Sequence, residues 1–264
     1  MYNFNYHRPS SLADAAKTVT SSSEGKLVAG GMTLIPTLKQ RLAKPSDLVD
    51  LAGIAELKGI KKDGNSIVIG AMTRHADVAA SDVVKSAIPG LAALADGIGD
   101  PQVRNRGTIG GSIANNDPAA DYPSAIVALN ATVVTNKRKI TADDFFKGMF
   151  ETALEPGEIV TAVQFPIPEK ASYSKFPNPA SRYAIVGVFV AKGTGGVRVA
   201  VTGAGPSVFR QKEMEAALGK SFTPDAVANI KVVSGGLNSD IHASAEYRAH
   251  LVTVMAKRAV AAAK

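Results

Sequence analysis

The chain of 264 residues contains neither cysteine nor tryptophan. Without cysteine it can form no disulfide, supply no thiolate nucleophile and hold no iron–sulfur cluster through its own thiolates. Aromatic residues are also scarce, at 6%. The net charge of +7 comes from lysines and arginines that are scattered along the chain. Because stacking platforms are sparse and no long basic run occurs, we favour a solvated basic surface, or one facing an acidic ligand or partner, over nucleic-acid binding.

Long apolar runs are missing as well. No stretch of about 18 apolar residues occurs, so we expect no membrane span. The opening residues, MYNFNYHRPSS, lack the apolar core of a secretory signal, and we therefore expect a cytoplasmic location. With 45% hydrophobic and 20% charged residues, the composition is typical of a globular chain, and the length predicts one large or two modest domains.

The common catalytic and metal-binding motifs are absent. The four histidines show no metal-ligand spacing, and no G-x-S-x-G elbow is found. The complete phosphate-binding motifs G-x-x-x-x-G-K-[ST] and G-x-G-x-x-G do not occur either, which leaves a nicotinamide Rossmann site unsupported. We therefore predict no metal site and no catalytic residue in this chain.

One segment, Asp100–Asp121 (DPQVRNRGTIGGSIANNDPAAD), is unusually rich in glycine, asparagine, arginine and aspartate. Around Gly110-Gly111, backbone N–H groups could approach a ligand without a Cβ in the way. We interpret the segment as a nucleotide-cradling loop. A solvated glycine-rich turn remains open from the residues alone.

A second glycine pair lies in Leu27–Thr33 (LVAGGMT). The pattern predicts a strand over Lys26–Gly30 and a helix over Leu34–Leu42, with Thr33 as its N-cap. A strand, a glycine pair and a helix in this order can present helix N-terminal amides to an anion. An ordinary strand-to-helix turn also favours glycine, so both interpretations stay open.

Other polar residues near these loops allow two interpretations each. Asp117 and Asp121 would share one face if a helix begins between them, which fits either hydroxyl recognition or helix capping. For Arg104 and Arg106 we favour surface salt bridges over a diphosphate contact. Tyr183 could pack on a planar ring, but the start of a strand is the safer interpretation.

The lysine- and proline-rich segment Pro166–Asn178 is predicted to be the domain boundary. Beyond it, Ala184–Ala191 and Val197–Gly203 are predicted to be antiparallel strands. The helices predicted after them are Glu213–Leu218, Pro224–Val232 and Ala243–Ala262. Two glycine pairs without an acid–base set indicate a protein that positions a cofactor, and a flavin dinucleotide suits this composition.

Several stretches resemble a known family. They include LVAGGMTLIPTLKQRLAKPSDLVDL (27–51), IGDPQVRNRGTIGGSIANNDPAADYP (98–123) and FFKGMFETALEPGEIVTAVQFP (145–166). With these motifs the chain resembles the FAD-binding (medium) subunit of the molybdenum hydroxylases, the xanthine dehydrogenase and aerobic carbon monoxide dehydrogenase group. The resemblance implies an α+β fold. Residues 1–168 would form an FAD-binding domain of the vanillyl-alcohol-oxidase (PCMH) type, with subdomains of about 1–56 and 57–168. Residues 169–264 would form a domain of a small antiparallel sheet and helices.

The resemblance also implies the cofactor-binding residues. Ala29–Thr33 and Thr108–Ser112 match the two pyrophosphate loops, Asp121 an aspartate on the adenosine side, and Tyr183 a tyrosine beside the isoalloxazine. It makes Arg104 and Arg106 residues that shape or flank the second loop. The full set is Leu27, Val28, Ala29, Gly30, Gly31, Met32, Thr33, Leu34, Thr108, Ile109, Gly110, Gly111, Ser112, Asn115, Asp117, Asp121, Ile159, Lys175 and Tyr183.

The implied function is electron transfer through FAD. A large partner subunit would carry the molybdenum cofactor, and a small one would carry two [2Fe–2S] clusters that pass electrons to this chain, in a dimer of heterotrimers. Reduced FAD would then serve an external acceptor. A stand-alone flavin oxidase and a non-catalytic nucleotide-binding module are the alternatives. The sequence does not determine the substrate (carbon monoxide, an aldehyde or an N-heterocycle), the acceptor, any membrane association of the complex, or the role of Met32.

Overall fold

A computed structural model describes all 264 residues and contains four β-sheets. The N-terminal unit is a three-stranded parallel sheet in the order β1-β3-β2, with two helices. Its core is a small cluster of seven buried residues, to which α1 contributes Ala15 and β3 contributes Val49. The elements are β1 (Asn5–His7), α1 (Leu12–Ser21), β2 (Gly25–Val28), α2 (Leu34–Lys39) and β3 (Asp47–Asp50).

The middle unit is a five-stranded antiparallel sheet covered by helices, in the order β4-β5-β10-β6-β7. Alternate apolar residues of the strands, such as Ile67 and Ile69, point from one face of the sheet into a core of 30 buried residues. Its elements are β4 (Ile60–Asp63), β5 (Ser66–Gly70), α3 (His75–Ala80), α4 (Asp82–Ala87), α5 (Pro89–Asp96), α6 (Pro101–Arg104), α7 (Ile109–Asn115), α8 (Tyr122–Ala128), β6 (Thr132–Thr135), β7 (Lys139–Thr141), α9 (Ala142–Phe145), the two-stranded hairpin β8 (Phe146–Gly148) and β9 (Glu151–Thr152), and β10 (Val160–Pro166).

The C-terminal unit is a four-stranded antiparallel sheet in the order β11-β12-β13-β14, packed against helices. A second core of 17 buried residues lies between this sheet and the last helix. Val188 and Val190 are part of this core. The elements are β11 (Lys170–Pro177), β12 (Ala184–Gly193), β13 (Gly196–Thr202), β14 (Phe209–Arg210), α10 (Lys212–Lys220), α11 (Pro224–Val227) and α12 (Ala245–Ala262). The predicted α+β class is confirmed.

The central strand β12 is buried on both faces and joins the middle and C-terminal units. Val188 and Val190 face α12, whereas Phe189 and Ala191 lie in the large core of the middle unit. Successive side chains of a strand point to opposite faces, so one strand can serve two cores. The near-continuous apolar run of β12 follows from this double burial.

The segment Pro166–Asn178, predicted to be the domain boundary, contains strand β11, and Pro166 and Pro177 lie at strand ends. Two predicted helix ends are wrong. The helix predicted over Pro224–Val232 ends at Val227. The helix that begins at Leu34 ends at Lys39 rather than Leu42, and Arg41 just beyond it has a positive φ of 60°.

The segment Asp100–Asp121 is also more ordered than a loop. It contains α6 and α7, and each helix is capped by a side chain. Asp100 Oδ1 accepts from the N–H of Val103, and Thr108 Oγ1 accepts from that of Gly111. Across the whole chain, none of the helices combines the length and the apolar composition needed to cross a bilayer.

We expect Phe189→Ala to lower the free energy of unfolding by about 3–5 kcal/mol, because it leaves a cavity where the sheet of the C-terminal unit enters the large core. Urea unfolding should show one transition by both circular dichroism and tyrosine fluorescence, since the two units share that core. Val83→Ala, at a position 39% exposed, is the control and should change stability by less than about 0.5 kcal/mol. Two separate transitions in the unsubstituted chain would contradict the prediction.

Candidate functional site

A cleft of about 530 Å³ runs between the N-terminal and middle units. Its walls come from the loop after β2, the segment that leads into α7 and the turn after β5, and the C-terminal unit adds the residues just before β12. The volume is within the usual range for small-molecule sites. The two glycine-rich segments that the sequence singles out therefore lie in one cavity.

The first loop, Ala29–Thr33, presents unpaired backbone donors. None of its five N–H groups donates a hydrogen bond within the chain. Gly31 has a φ of 74°, a conformation that glycine adopts without a Cβ penalty. Thr33 precedes α2, but its side chain makes no capping hydrogen bond, contrary to the prediction. A run of free amides at a cavity wall suits an anionic group such as a phosphate.

The second loop, Thr108–Ser112, uses its backbone donors within the protein. The N–H groups of Ile109 and Gly110 donate to carbonyl oxygens in the turn after β5, and that of Gly111 donates to Thr108 Oγ1. The loop therefore has few free amides for a ligand. What it can offer is the Ser112 hydroxyl and van der Waals contact. The two loops have different chemistry although both contain a glycine pair.

The glycines allow these segments to touch one another. A Cβ on Gly30 would lie 2.1 Å from the carbonyl oxygen of Arg106, and one on Gly110 would lie 2.6 Å from the Ala71 Cβ. A Cβ on Gly111 would lie 3.3 Å from the Ala29 Cβ, tighter than an ordinary contact. The expectation that Gly110-Gly111 opens amides to a ligand is wrong, because both N–H groups already donate hydrogen bonds within the chain.

Asp121 lies at the inner end of the cleft and is almost fully buried. Its Oδ1 accepts a short hydrogen bond of 2.5 Å from the Tyr173 hydroxyl and lies 3.0 Å from Lys175 Nζ. Burial raises the pKa of the carboxyl, and Lys175 and Tyr173 partly offset that rise. Lys175 Nζ also donates to the carbonyl oxygen of Gly97. Strand β11 of the C-terminal unit therefore holds this carboxylate in place.

Asp117 and Asp121 do not share a helix face, because α8 begins only at Tyr122. Asp117 Oδ1 accepts from the N–H of Ala119 and so closes a tight turn at the cleft wall. Tyr183 precedes β12, is 48% exposed and borders the cleft. Burial and the nearby carboxylates Asp117 and Asp121 raise the pKa of its hydroxyl.

All but three of the residues that the resemblance assigns to a cofactor line this cleft. Val28 and Ile109 are buried behind the two loops, and Lys175 reaches Asp121 from behind without lining the cavity. The residues in the cleft wall are Leu27, Ala29, Gly30, Gly31, Met32, Thr33, Leu34, Thr108, Gly110, Gly111, Ser112, Asn115, Asp117, Asp121, Ile159 and Tyr183.

The sequence did not indicate His75, which also lines the cleft. A single histidine at a strand-to-helix turn carries no spacing signal. The side chain is 4% exposed, and its Nδ1 has no hydrogen-bond partner. Burial lowers its pKa to about 4, and the positive charge of Arg104 contributes. The imidazole is therefore neutral at physiological pH.

Arg104 forms the expected surface salt bridge, with its Nε 3.9 Å from Asp96 Oδ1, and it also supports the cleft wall. Its Nη1 donates to the carbonyl oxygens of Ile98 and Gly99, both of which line the cavity. Glu158, a further lining residue, is buried against Arg138. The hydrogen bonds from that guanidinium are the main reason why the pKa of Glu158 falls to about 2.

Comparison with known proteins identifies the family. A family model described as "FAD binding domain in molybdopterin dehydrogenase" matches residues 2–168. The chain belongs to the FAD-binding subunits of the molybdenum hydroxylases. In this FAD-binding subunit, residues 171–263 match a second family model, "CO dehydrogenase flavoprotein C-terminal domain". The predicted family is thus confirmed, and with it the assignment as an oxidoreductase subunit.

This FAD-binding subunit is 36% identical to the carbon monoxide dehydrogenase medium chain of Hydrogenophaga pseudoflava, with 98% of this chain and 96% of the relative covered. It is 38% identical to the glyceraldehyde dehydrogenase medium chain of Sulfolobus acidocaldarius, covering 97% and 96%. A solved structure of the Hydrogenophaga carbon monoxide dehydrogenase superposes with a TM-score of 0.89 at 36% identity, covering 99% of this chain and 97% of the other.

We expect the buried His75 to make the protein sensitive to mild acid. Its folded-state pKa of about 4 lies below the usual value of about 6.5, so the unfolded chain binds the proton more readily. Above pH 6.5 the neutral imidazole makes its full contribution to the free energy of unfolding. That free energy should fall by about 3 kcal/mol as the pH drops to about 4. Urea titrations at several pH values measure this fall.

His75→Gln is the comparison variant, because a neutral amide cannot take up the proton. Its stability should fall less than that of the unsubstituted protein between pH 6.5 and 4. Glu158 titrates in a lower window, from its usual value down to about 2, and its contribution is common to both proteins. Parallel pH profiles for the two proteins would contradict the assignment.

Proposed function

We propose that this chain is the FAD-carrying electron-transfer subunit of a multi-subunit molybdenum hydroxylase. It takes electrons from [2Fe–2S] clusters on a small partner subunit and passes them to an external acceptor. The substrate is oxidised at a molybdenum cofactor on a large partner subunit. The observation that carries the proposal is the run of five unpaired amides in the cleft of a chain that belongs to an FAD-binding family.

The donor set of the cleft suits FAD. The free amides of Ala29–Thr33 can bind the negatively charged diphosphate, and the Ser112 hydroxyl faces the same cavity. Apolar walls suit the flat ring system, and Ile159 lines one of them while being almost fully buried. The residues present therefore fit a dinucleotide cofactor.

We assign the roles of the cleft residues accordingly. Ala29–Thr33 binds the diphosphate, Thr108–Ser112 bounds it from the other side, and Asn115 and Asp117 meet the ribityl or ribose hydroxyls. Asp121 accepts from a hydroxyl on the adenosine side while Lys175 fixes it from behind. Tyr183 borders the flavin ring from the C-terminal unit. Bound FAD supplies the exchange of one or two electrons, and these residues orient it and limit its contact with water.

The substrate does not depend on this chain. Relatives of nearly equal identity are named for carbon monoxide and for glyceraldehyde, which are chemically unrelated. We therefore place substrate choice on the large partner subunit. With no cysteine, the chain cannot ligate an iron–sulfur cluster through thiolates, so we place the clusters of the proposed electron path on the small partner subunit. We propose a dimer of heterotrimers, and within this chain an FAD-binding domain over residues 1–168 followed by a domain over residues 169–264.

The decisive experiment is to purify the chain alone and from its native source. We expect stoichiometric FAD by its visible absorbance in both samples, and molybdenum and iron only in the native sample, with two further subunits. A chain without flavin would rule out the proposal and favour a nucleotide-binding module. A native monomer that oxidises a substrate unaided would favour a stand-alone flavin oxidase.

We expect Gly111→Val to lose FAD while remaining folded. The added side chain would press on Ala29 and Thr108, which line the diphosphate side of the cleft. Absorbance measures the FAD content, and far-ultraviolet circular dichroism measures folding. Gly219→Val is the matched control, because a Cβ there meets no other atom within 4 Å. Normal FAD content in Gly111→Val would refute the role of this loop.

A further inference from the structure

The two carboxylate oxygens of Asp121 have different surroundings. Oδ1 lies 2.5 Å from the Tyr173 hydroxyl oxygen and 3.0 Å from Lys175 Nζ, so both partners bind the same oxygen. Oδ2 has no hydrogen-bond donor within the chain and is not fully enclosed by it. Since Asp121 lines the cleft, Oδ2 is the oxygen that stays open to a ligand there.

The position of the Tyr173 hydroxyl depends on the neighbouring strand. Tyr173 on β11 pairs with Phe189 on β12, and the two rings stack with their centroids 6.1 Å apart. The hydroxyl lies against Gly187 of the same strand, where a Cβ would collide with the hydroxyl oxygen. Because Gly187 has no side chain, the hydroxyl fits beside β12 and reaches Asp121.

Burial opposes the negative charge of Asp121. It raises the pKa of this carboxyl, whereas the positive charge of Lys175 and the hydrogen bonds from Tyr173 and Lys175 lower it. Burial also raises the pKa of the Tyr173 hydroxyl well above its usual value, and the charge of Asp121 adds to that rise. The hydroxyl therefore keeps its proton and donates to the carboxylate. A hydrogen bond to the charged form of a group favours that form.

We propose that Tyr173 is a positioning residue for the cofactor, because it occupies Oδ1 of Asp121, keeps the carboxyl ionised and leaves Oδ2 to accept a hydrogen bond from FAD. This inference rests on the proposed function, since it takes FAD as the ligand of the cleft. A protonated Asp121 would present an O–H donor where FAD needs an acceptor. Tyr173 lies beyond residue 168, where the match to the FAD-binding family model ends. The C-terminal unit thus controls the charge of a residue in the cofactor site.

The other titratable and charged groups around Asp121 stay the same when only Tyr173 is changed. The two tyrosines among them have raised pKa values and keep their protons near neutral pH. The pKa of the histidine is lowered to about 4, so this side chain is neutral there. A difference between the pH profiles of the two proteins therefore reports on Asp121. These groups are Lys175 on β11, Tyr122 on α8, Tyr183 before β12, Asp117 after α7 and His75 at the start of α3.

The test measures the dissociation constant of FAD for the full chain by flavin fluorescence, from about pH 5 to about pH 8. Binding should weaken as the pH falls through the pKa of Asp121, because the proton removes the acceptor. In Tyr173→Phe, which keeps the ring, this weakening should begin about one to two pH units higher, the shift expected for loss of a hydrogen bond to a charged group. At neutral pH the variant should bind FAD about tenfold more weakly.

Tyr6→Phe is the matched control. The Tyr6 hydroxyl also donates to a carboxylate, Asp50 Oδ2, at 2.6 Å, but neither residue lines the cleft. This variant should have the FAD affinity and the pH profile of the unsubstituted chain, and far-ultraviolet circular dichroism should show that both variants fold. The same affinity and pH profile in Tyr173→Phe would overturn the proposal.

Asp121→Asn separates an action through Asp121 from a general effect on packing. The amide does not ionise, so FAD binding should be weaker and should lose its dependence on pH in this range. In this background Tyr173→Phe should weaken FAD binding by less than about threefold. If it weakens binding as much as it does in the unsubstituted chain, Tyr173 acts on the fold and the proposal fails.

Infrared spectroscopy gives a second measurement, which does not depend on affinity. As the pH is lowered, the carbonyl band of a protonated carboxyl should appear at a higher pH in Tyr173→Phe than in the unsubstituted chain. This difference should vanish when both proteins also carry Asp121→Asn, and its persistence would contradict the assignment to Asp121. If the unsubstituted chain binds no FAD at any pH, the proposed function itself fails, and this is seen before any variant is compared.

Discussion

The contact between two backbone segments, Gly30 against Arg106 and Gly107, is the constraint on which the cleft depends. A side chain at Gly30 would collide with the carbonyl oxygen of Arg106 at 2.1 Å. This contact joins the parallel sheet of the N-terminal unit to the helices of the antiparallel sheet. Because the two backbones touch, the first loop is held with its amides unpaired at one wall of the cavity. The unpaired amides that we propose for the diphosphate follow from this geometry.

The cleft is lined by residues of all three units. The C-terminal unit contributes mainly by holding Asp121 in position. Strand β11 supplies Tyr173 and Lys175, which hold Asp121. The turn before β12 supplies Tyr183 at the cleft wall. Lys175 joins this arrangement to the end of α5 through the carbonyl oxygen of Gly97. A buried carboxylate needs such partners, because its charge would otherwise be costly to remove from water.

The sequence predicted the location of the site better than the roles of its residues. Strand–glycine–helix patterning and the composition of Asp100–Asp121 located both loops, because glycine and short polar residues are local signals. It did not predict that the second loop would use its own amides, nor that Lys175 would act from behind Asp121. Those features depend on which segments meet in the folded chain. His75 was missed for the same reason, since its place in the cleft is defined by its neighbours and not by any spacing in the chain.

Strand β12 has a consequence for how this protein could be altered in evolution or in the laboratory. Its alternate side chains belong to two cores, one formed mostly before residue 169 and one formed mostly after it. A C-terminal half taken from a relative would bring its own version of Phe189 and Ala191 into a core shaped for these side chains. Chimeras joined near residue 169 should therefore have packing defects in the large core. Any exchange of the C-terminal part must be accompanied by compensating changes in the helices that cover β12.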